Sequence, residues 1–190
     1  MKVNQYNPFE RISDSRLLVF GLAITVLASF FAYCVNGRFD GILDLHFVEE
    51  AKIYQPFLDN LLNIVVTSLL LFTLGKILNK RTRYIDILNA VLLSRVLIYL
   101  LLFSNVNSFI LSVTDNVMAD FPNVEMSWSL IYLALFGIIS LLVLAIYLFL
   151  MFLGFRVAVN SKKSIHILYF ILTILLSEAL LKVIFYLIKY

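Results

Sequence analysis

Chemistry-bearing side chains are scarce in this chain. Among 190 residues there is one cysteine, Cys34, and there are two histidines, His46 and His166. A single cysteine excludes an internal disulfide. Without a CxxC pair or a Cys/His companion it also excludes a structural zinc centre, and it reads as an apolar thiol within a membrane. The sequence contains no GxSxG, no Walker motif, no Rossmann glycines, no paired aspartates at mid-membrane depth and no complete metal triad. The expectation is therefore a protein that is not an enzyme and carries no cofactor. Charged residues make up only 14% of the chain. The net charge of +3 comes without a basic helix or an aromatic platform, which argues against nucleic acid as a partner and leaves the basic residues as topology signals. Pro8, Glu10 and Asp14 lie within the first sixteen residues, and no A-x-A pattern follows the first apolar run, so that run is expected to be a mature helix. No internal repeat of about 20–50 residues is visible.

What is abundant is apolar: 62% of the chain is hydrophobic and 15% of the chain aromatic, with a mean hydropathy of +0.97. This composition predicts a single all-α membrane domain, a polytopic transmembrane helical bundle. Five stretches have the roughly 20 apolar residues that a bilayer crossing needs, at about 17–35, 57–78, 85–103, 128–155 and 165–188. Lysines and arginines orient them. One side carries Lys2, Arg11, Arg16, Lys76, Lys80, Arg81, Arg83, Arg156, Lys162 and Lys163; the other has Arg38, Lys52 and Lys189. The positive-inside rule then puts the N-terminus in the cytoplasm and the C-terminus outside, in a cytoplasmic (inner) membrane.

Residues 1–16 read as a cytoplasmic amphipathic lead-in, with Asn7-Pro8-Phe9-Glu10 resembling a capping box. The external loop 36–56 carries Leu45, Val48 and Ala51 on one helical face and charge on the other, which predicts an interfacial or partly re-entrant helix. On such a helix His46 would stand one turn from Glu49 and Glu50, a fragment of a divalent-metal site and the basis for a metal-dependent membrane hydrolase as a minor alternative. A second external loop is expected over 104–127, with Phe121-Pro122-Asn123 as a turn. Trp128 and Tyr132 open the fourth span at interface level. The basic turn with Lys76, Lys80, Arg81 and Arg83 suits anionic lipid headgroups.

The sharpest feature is Arg95, about 15 Å along the third span from Ile85 at about 1.5 Å per residue, close to the bilayer midplane. A guanidinium at that depth costs at least about 2.5 kcal/mol and should face a partner. Asn60, Asn63 and Thr67 form a polar stripe on the second span, and Glu178 and Lys182 lie one turn apart on the fifth. Arg95, Glu178 and Asn63, surrounded by Lys182, Asn60 and Tyr99, are the predicted buried polar cluster, with Arg95 and Glu178 as an ion pair clamping spans three and five. The rival reading is a small ion, proton or lipid transporter or channel built around Arg95, Glu178 and Asn63.

Asn7-Pro8-Phe9-Glu10-Arg11-Ile12 before the first span, five spans with the N-terminus inside, and the compact hairpin Gly75-Lys76-Ile77-Leu78-Asn79-Lys80-Arg81-Thr82-Arg83 together resemble the Yip1 family of small polytopic membrane proteins. In eukaryotes that family implies Golgi and ER vesicle traffic and contact with Rab GTPases. The long cytosolic N-terminal region and the DLYGP-like segment of those members are missing here, so the resemblance implies a short prokaryotic relative and does not carry GTPase binding across. The expected role is membrane organisation or partner recruitment. The expected partners are membrane lipids and a membrane protein or a second copy of the chain.

Overall fold

A computed structural model of the chain describes residues 9, 12–119, 127–160 and 163–188. The elements are helix α1 (Asp14–Cys34), a two-residue strand β1 (Gly37–Arg38), strand β2 (His46–Phe47), helices α2 (Tyr54–Leu78) and α3 (Tyr84–Tyr99), a 3-10 segment (Leu100–Ser108), and helices α4 (Phe109–Ala119), α5 (Trp128–Val159) and α6 (Ile165–Ile188). Five helical segments are long and apolar enough to cross a membrane, the third being the joined run Tyr84–Ala119. The expected capping box at 7–10 and the turn at 121–123 lie outside the described residues, apart from Phe9. Ser13 occupies the N-cap of α1 with Asp14 in the first turn, so residues 14–16 are helical and continuous with the first apolar run.

α3 is the central helix. It packs against α1, α2 and α5, while α6 packs chiefly against α2. Small residues set these distances. A Cβ on Gly21 would stand 2.7 Å from the Cβ of Leu92, and one on Gly154 would stand 2.5 Å from the Cβ of Ala90. The absence of a side chain on α1 and α5 is thus what lets α3 lie between them, as is usual where helices meet without a hydrophobic drive to associate. Ala90, Val91 and Leu92 on α3 and Met151 and Phe155 on α5 are fully buried as a result. The outward faces of α5 and α6 remain apolar and exposed, among them Leu141, Leu142, Phe149, Leu172 and Leu187. Such faces suit lipid.

Two segments depart from expectation. Residues 36–53 form no interfacial helix: β1 and β2 pair antiparallel, Gly37 with Phe47 and Arg38 with His46, and the intervening chain turns inward. Phe39 and Ile42 end up buried. Of the apolar residues that suggested a helical face, Leu45 and Val48 flank β2 and are half-buried, and Ala51 is buried before α2. The third span does not end at Phe103. It tightens into the 3-10 segment, kinks at Asn105, Val106 and Asn107, where Asn107 takes φ 56°, and resumes as α4, where a loop was expected. Asn105 holds this joint. Its Nδ2 donates to the Val35 carbonyl at 2.9 Å, and its Oδ1 accepts from the Leu111 amide at 2.9 Å. One side chain thereby satisfies both a helix C-terminal carbonyl and a helix N-terminal amide that have no partner within their own helices.

Candidate functional site

Polar side chains gather in two layers inside the bundle. The deeper layer is centred on Arg95, which is 0% exposed. Its Nη2 donates to Asn60 Oδ1 at 2.7 Å, and its Nε donates to Tyr99 Oη at 3.3 Å. Tyr99, one turn along α3, donates in turn to Asn60 Oδ1 at 3.1 Å, while Asn60 Nδ2 donates to Ser29 Oγ on α1 at 2.9 Å. The guanidinium carbon lies 5.5 Å from the centroid of the Phe39 ring and 5.7 Å from that of Tyr99. Aromatic faces are electron-rich and stabilise a desolvated cation. Asn60 therefore does the work expected of a carboxylate, with an amide oxygen and no countercharge.

The upper layer fastens the inward-turning loop. Arg38 makes a two-pronged contact with Asp59 at the start of α2, Nε to Oδ2 at 2.7 Å and Nη2 to Oδ1 at 3.2 Å. Asp59 Oδ2 also accepts from the Phe39 amide at 3.1 Å, and Asn63 Nδ2 donates to the Phe39 carbonyl at 2.7 Å. Both backbone groups of Phe39 are thus satisfied by α2, and its ring is directed over Arg95. Such complete pairing is what allows irregular backbone to sit inside a membrane bundle. On the far side Glu178 Oε2 accepts from the Leu43 amide at 3.0 Å, and Lys182 pairs with Asp44 and lies 4.0 Å from Glu178. A Cβ on Gly41 would collide with the Glu178 carboxylate. That position requires glycine for close approach.

These contacts revise the predicted cluster. Arg95, Asn60 and Tyr99 do come together. Asn63 belongs to the upper layer, and Glu178 and Lys182 hold the loop, so the expected Arg95–Glu178 ion pair is not formed. The buried ion pair of the bundle is Arg38–Asp59. The physical reason is that the loop folds back between the helices and supplies partners that depth along a helix axis does not reveal. Asp59 carried a readable signal, since it stands one turn before Asn63 on the polar stripe of α2. Phe39 carried none.

His46 lies in β2 with its Nε2 3.6 Å from Asp40 Oδ2, and Glu49 and Glu50 are exposed. The helical spacing behind the metal-site expectation is lost because the segment is extended, and among the described residues no three His, Cys, Asp or Glu side chains are placed to hold a metal ion. In the basic turn, Lys76 Nζ donates to the Lys80 carbonyl at 3.1 Å and the Arg81 amide donates to Asn79 Oδ1 at 3.0 Å. Arg83 is bound to Asp86 and, at 2.8 Å, to Asp14. The hydrogen bonds Arg83 donates to Asp86 first, then to Asp14, keep its guanidinium above its ordinary pKa.

Five apolar helices around a polar interior capped by an inward-turning loop define a multi-pass membrane protein. Compared with protein-family models, with curated proteins and with solved structures, the chain matches none.

Proposed function

We propose that this is a non-enzymatic scaffold of the cytoplasmic membrane, with its N-terminus in the cytoplasm and its C-terminus outside, acting in membrane organisation or partner recruitment as the Yip1 resemblance implies. The observation that carries this reading is the closure over Arg95. The guanidinium is enclosed by Asn60, Tyr99 and the Phe39 ring, and the loop bearing Phe39 is itself tied to α2 and α6. A sealed polar core is suited to fixing helices relative to one another. The ten-to-three distribution of basic residues supports the orientation. Purified protein in liposomes should give anion and proton flux no greater than protein-free vesicles. Saturable flux that disappears in a folded Arg95→Gln variant would overturn the reading.

One observation favours the transporter alternative. Among the described residues, Arg95 Nη1 and Tyr147 Oη are buried facing each other without a hydrogen bond of ordinary geometry, Asn63 Oδ1 is an unpaired acceptor, and no carboxylate is bound to the guanidinium. A spare guanidinium N–H on a cation with no carboxylate beside it would suit a small anion. The flux measurement separates the two readings, because a scaffold keeps these atoms sealed whereas a pathway exposes them in turn.

A further inference from the structure

A second polar site lies at the opposite end of the bundle, beside the 79–83 turn. Asp14 at the start of α1, Arg83, Asp86 and Asn89 of the α3 N-terminus, and Gly154, Val157 and Ala158 in the last turns of α5 surround a pocket of about 260 Å³. Its position at three span ends puts it at headgroup level. The volume falls just under the roughly 300–1,000 Å³ of small-molecule sites and suits a headgroup-sized occupant.

The lining specifies the occupant's chemistry. Asn89 is 2% exposed, and its Nδ2 donates to the Asp14 carbonyl at 3.0 Å. A carbonyl can only accept, so the amide orientation is fixed and Oδ1 is the atom directed elsewhere. That Oδ1 is buried and has no partner. An acceptor left bare at this depth costs about 1–3 kcal/mol, which an N–H donor would recover. Among the described lining residues two carboxylates stand against one guanidinium, one negative charge in excess. An occupant is therefore a cation that donates hydrogen bonds. Arg83, 61% exposed at the mouth, can in addition meet a phosphate, and Leu17 and Val157 offer apolar wall beneath.

We propose that this pocket seats the headgroup of an ethanolamine phospholipid, with the primary ammonium between Asp86, Asp14 and Asn89 Oδ1 and the phosphate at Arg83. A choline headgroup has no N–H to give Asn89, and a glycerol headgroup brings no positive charge. The inference goes beyond the scaffold reading and does not depend on which side of the membrane the pocket faces.

Delipidated protein in detergent, titrated with dioleoyl phosphatidylethanolamine, phosphatidylcholine or phosphatidylglycerol while melting is followed, tests it. Ethanolamine lipid should raise the midpoint saturably, with an affinity about fivefold or more above that of choline lipid. Asp86→Asn should abolish that preference. So should Ala158→Phe, which fills the pocket without touching its charges and guards against a variant that merely loses the Arg83 contact. Equal response to ethanolamine and choline lipids, stronger response to the glycerol lipid, or a preference that survives both substitutions in folded protein would each overturn the proposal. Flux in liposomes is unaffected by any of these outcomes.

Discussion

The two ends of the bundle use the same pairing of arginine with aspartate in opposite settings. At the loop end, Arg38 and Asp59 are 7% and 0% exposed at their side chains; at the turn end, Arg83 and Asp14 are 61% and 40% exposed. Geometry barely separates them, with contacts of 2.7 and 2.8 Å. Solvent does. A pair in water gains little because water and salt already stabilise each partner. A pair shielded from water leaves an uncompensated charge when either member is removed. The same chemistry therefore fastens the loop and only decorates the turn.

This contrast can be broken by substitution, and the largest effect is expected at Asp59. Asp59→Ala removes the two-pronged partner of Arg38, which keeps only the longer 3.7 Å contact with Asp40 among the described carboxylates, and strands the Phe39 amide; it should cost about 3–5 kcal/mol, read from the unfolding midpoint in mixed detergent. An unchanged midpoint would show that the loop does not depend on the pair. Next is Gly41→Ala, whose added methyl has to displace the Glu178 carboxylate and with it the loop, at about 1–3 kcal/mol in the same assay. Arg95→Leu should cost about 1–3 kcal/mol, since it leaves Asn60 Oδ1 with Tyr99 as its remaining donor. Combining it with Asn60→Leu should cost less than the two single changes added, because both lose the same Arg95–Asn60 hydrogen bond; strict additivity would dissolve the link between them. Arg83→Gln should leave the midpoint where it was, and whatever small change appears should fade as salt is raised. A salt-independent loss there would erase the distinction between the two ends.

Hydropathy made the spans legible because a helix that crosses lipid has to be apolar over its whole length, whatever its neighbours are. α2, α5 and α6 accordingly begin or end within a few residues of the expected limits. The burial of Arg95 was legible for the same reason, as a charge within an apolar run has nowhere to go but inward. Its partner was not. Depth along a helix gives one coordinate, and Glu178 matched Arg95 in that coordinate while facing the loop. The loop misled in another way: Leu45, Val48 and Ala51 fit a helical period over too few residues to exclude an extended chain, and only the fastening by Asp59 and Asn63 decides between them. Asn105 and Asn107 lie in a polar stretch that looks like the end of a span. The continuation into α4 rests on two hydrogen bonds of one side chain, which no periodicity announces.

The contact of Glu178 with the Leu43 amide joins residues 135 positions apart. During synthesis the inward-turning loop is thus made long before the helix that braces its far side. For that interval it has its α2 ties and the Phe39 contacts with α3, and its α6 side remains unlatched. Final closure belongs to the arrival of α6, so chains halted before that helix should yield their loop to protease while the completed protein resists.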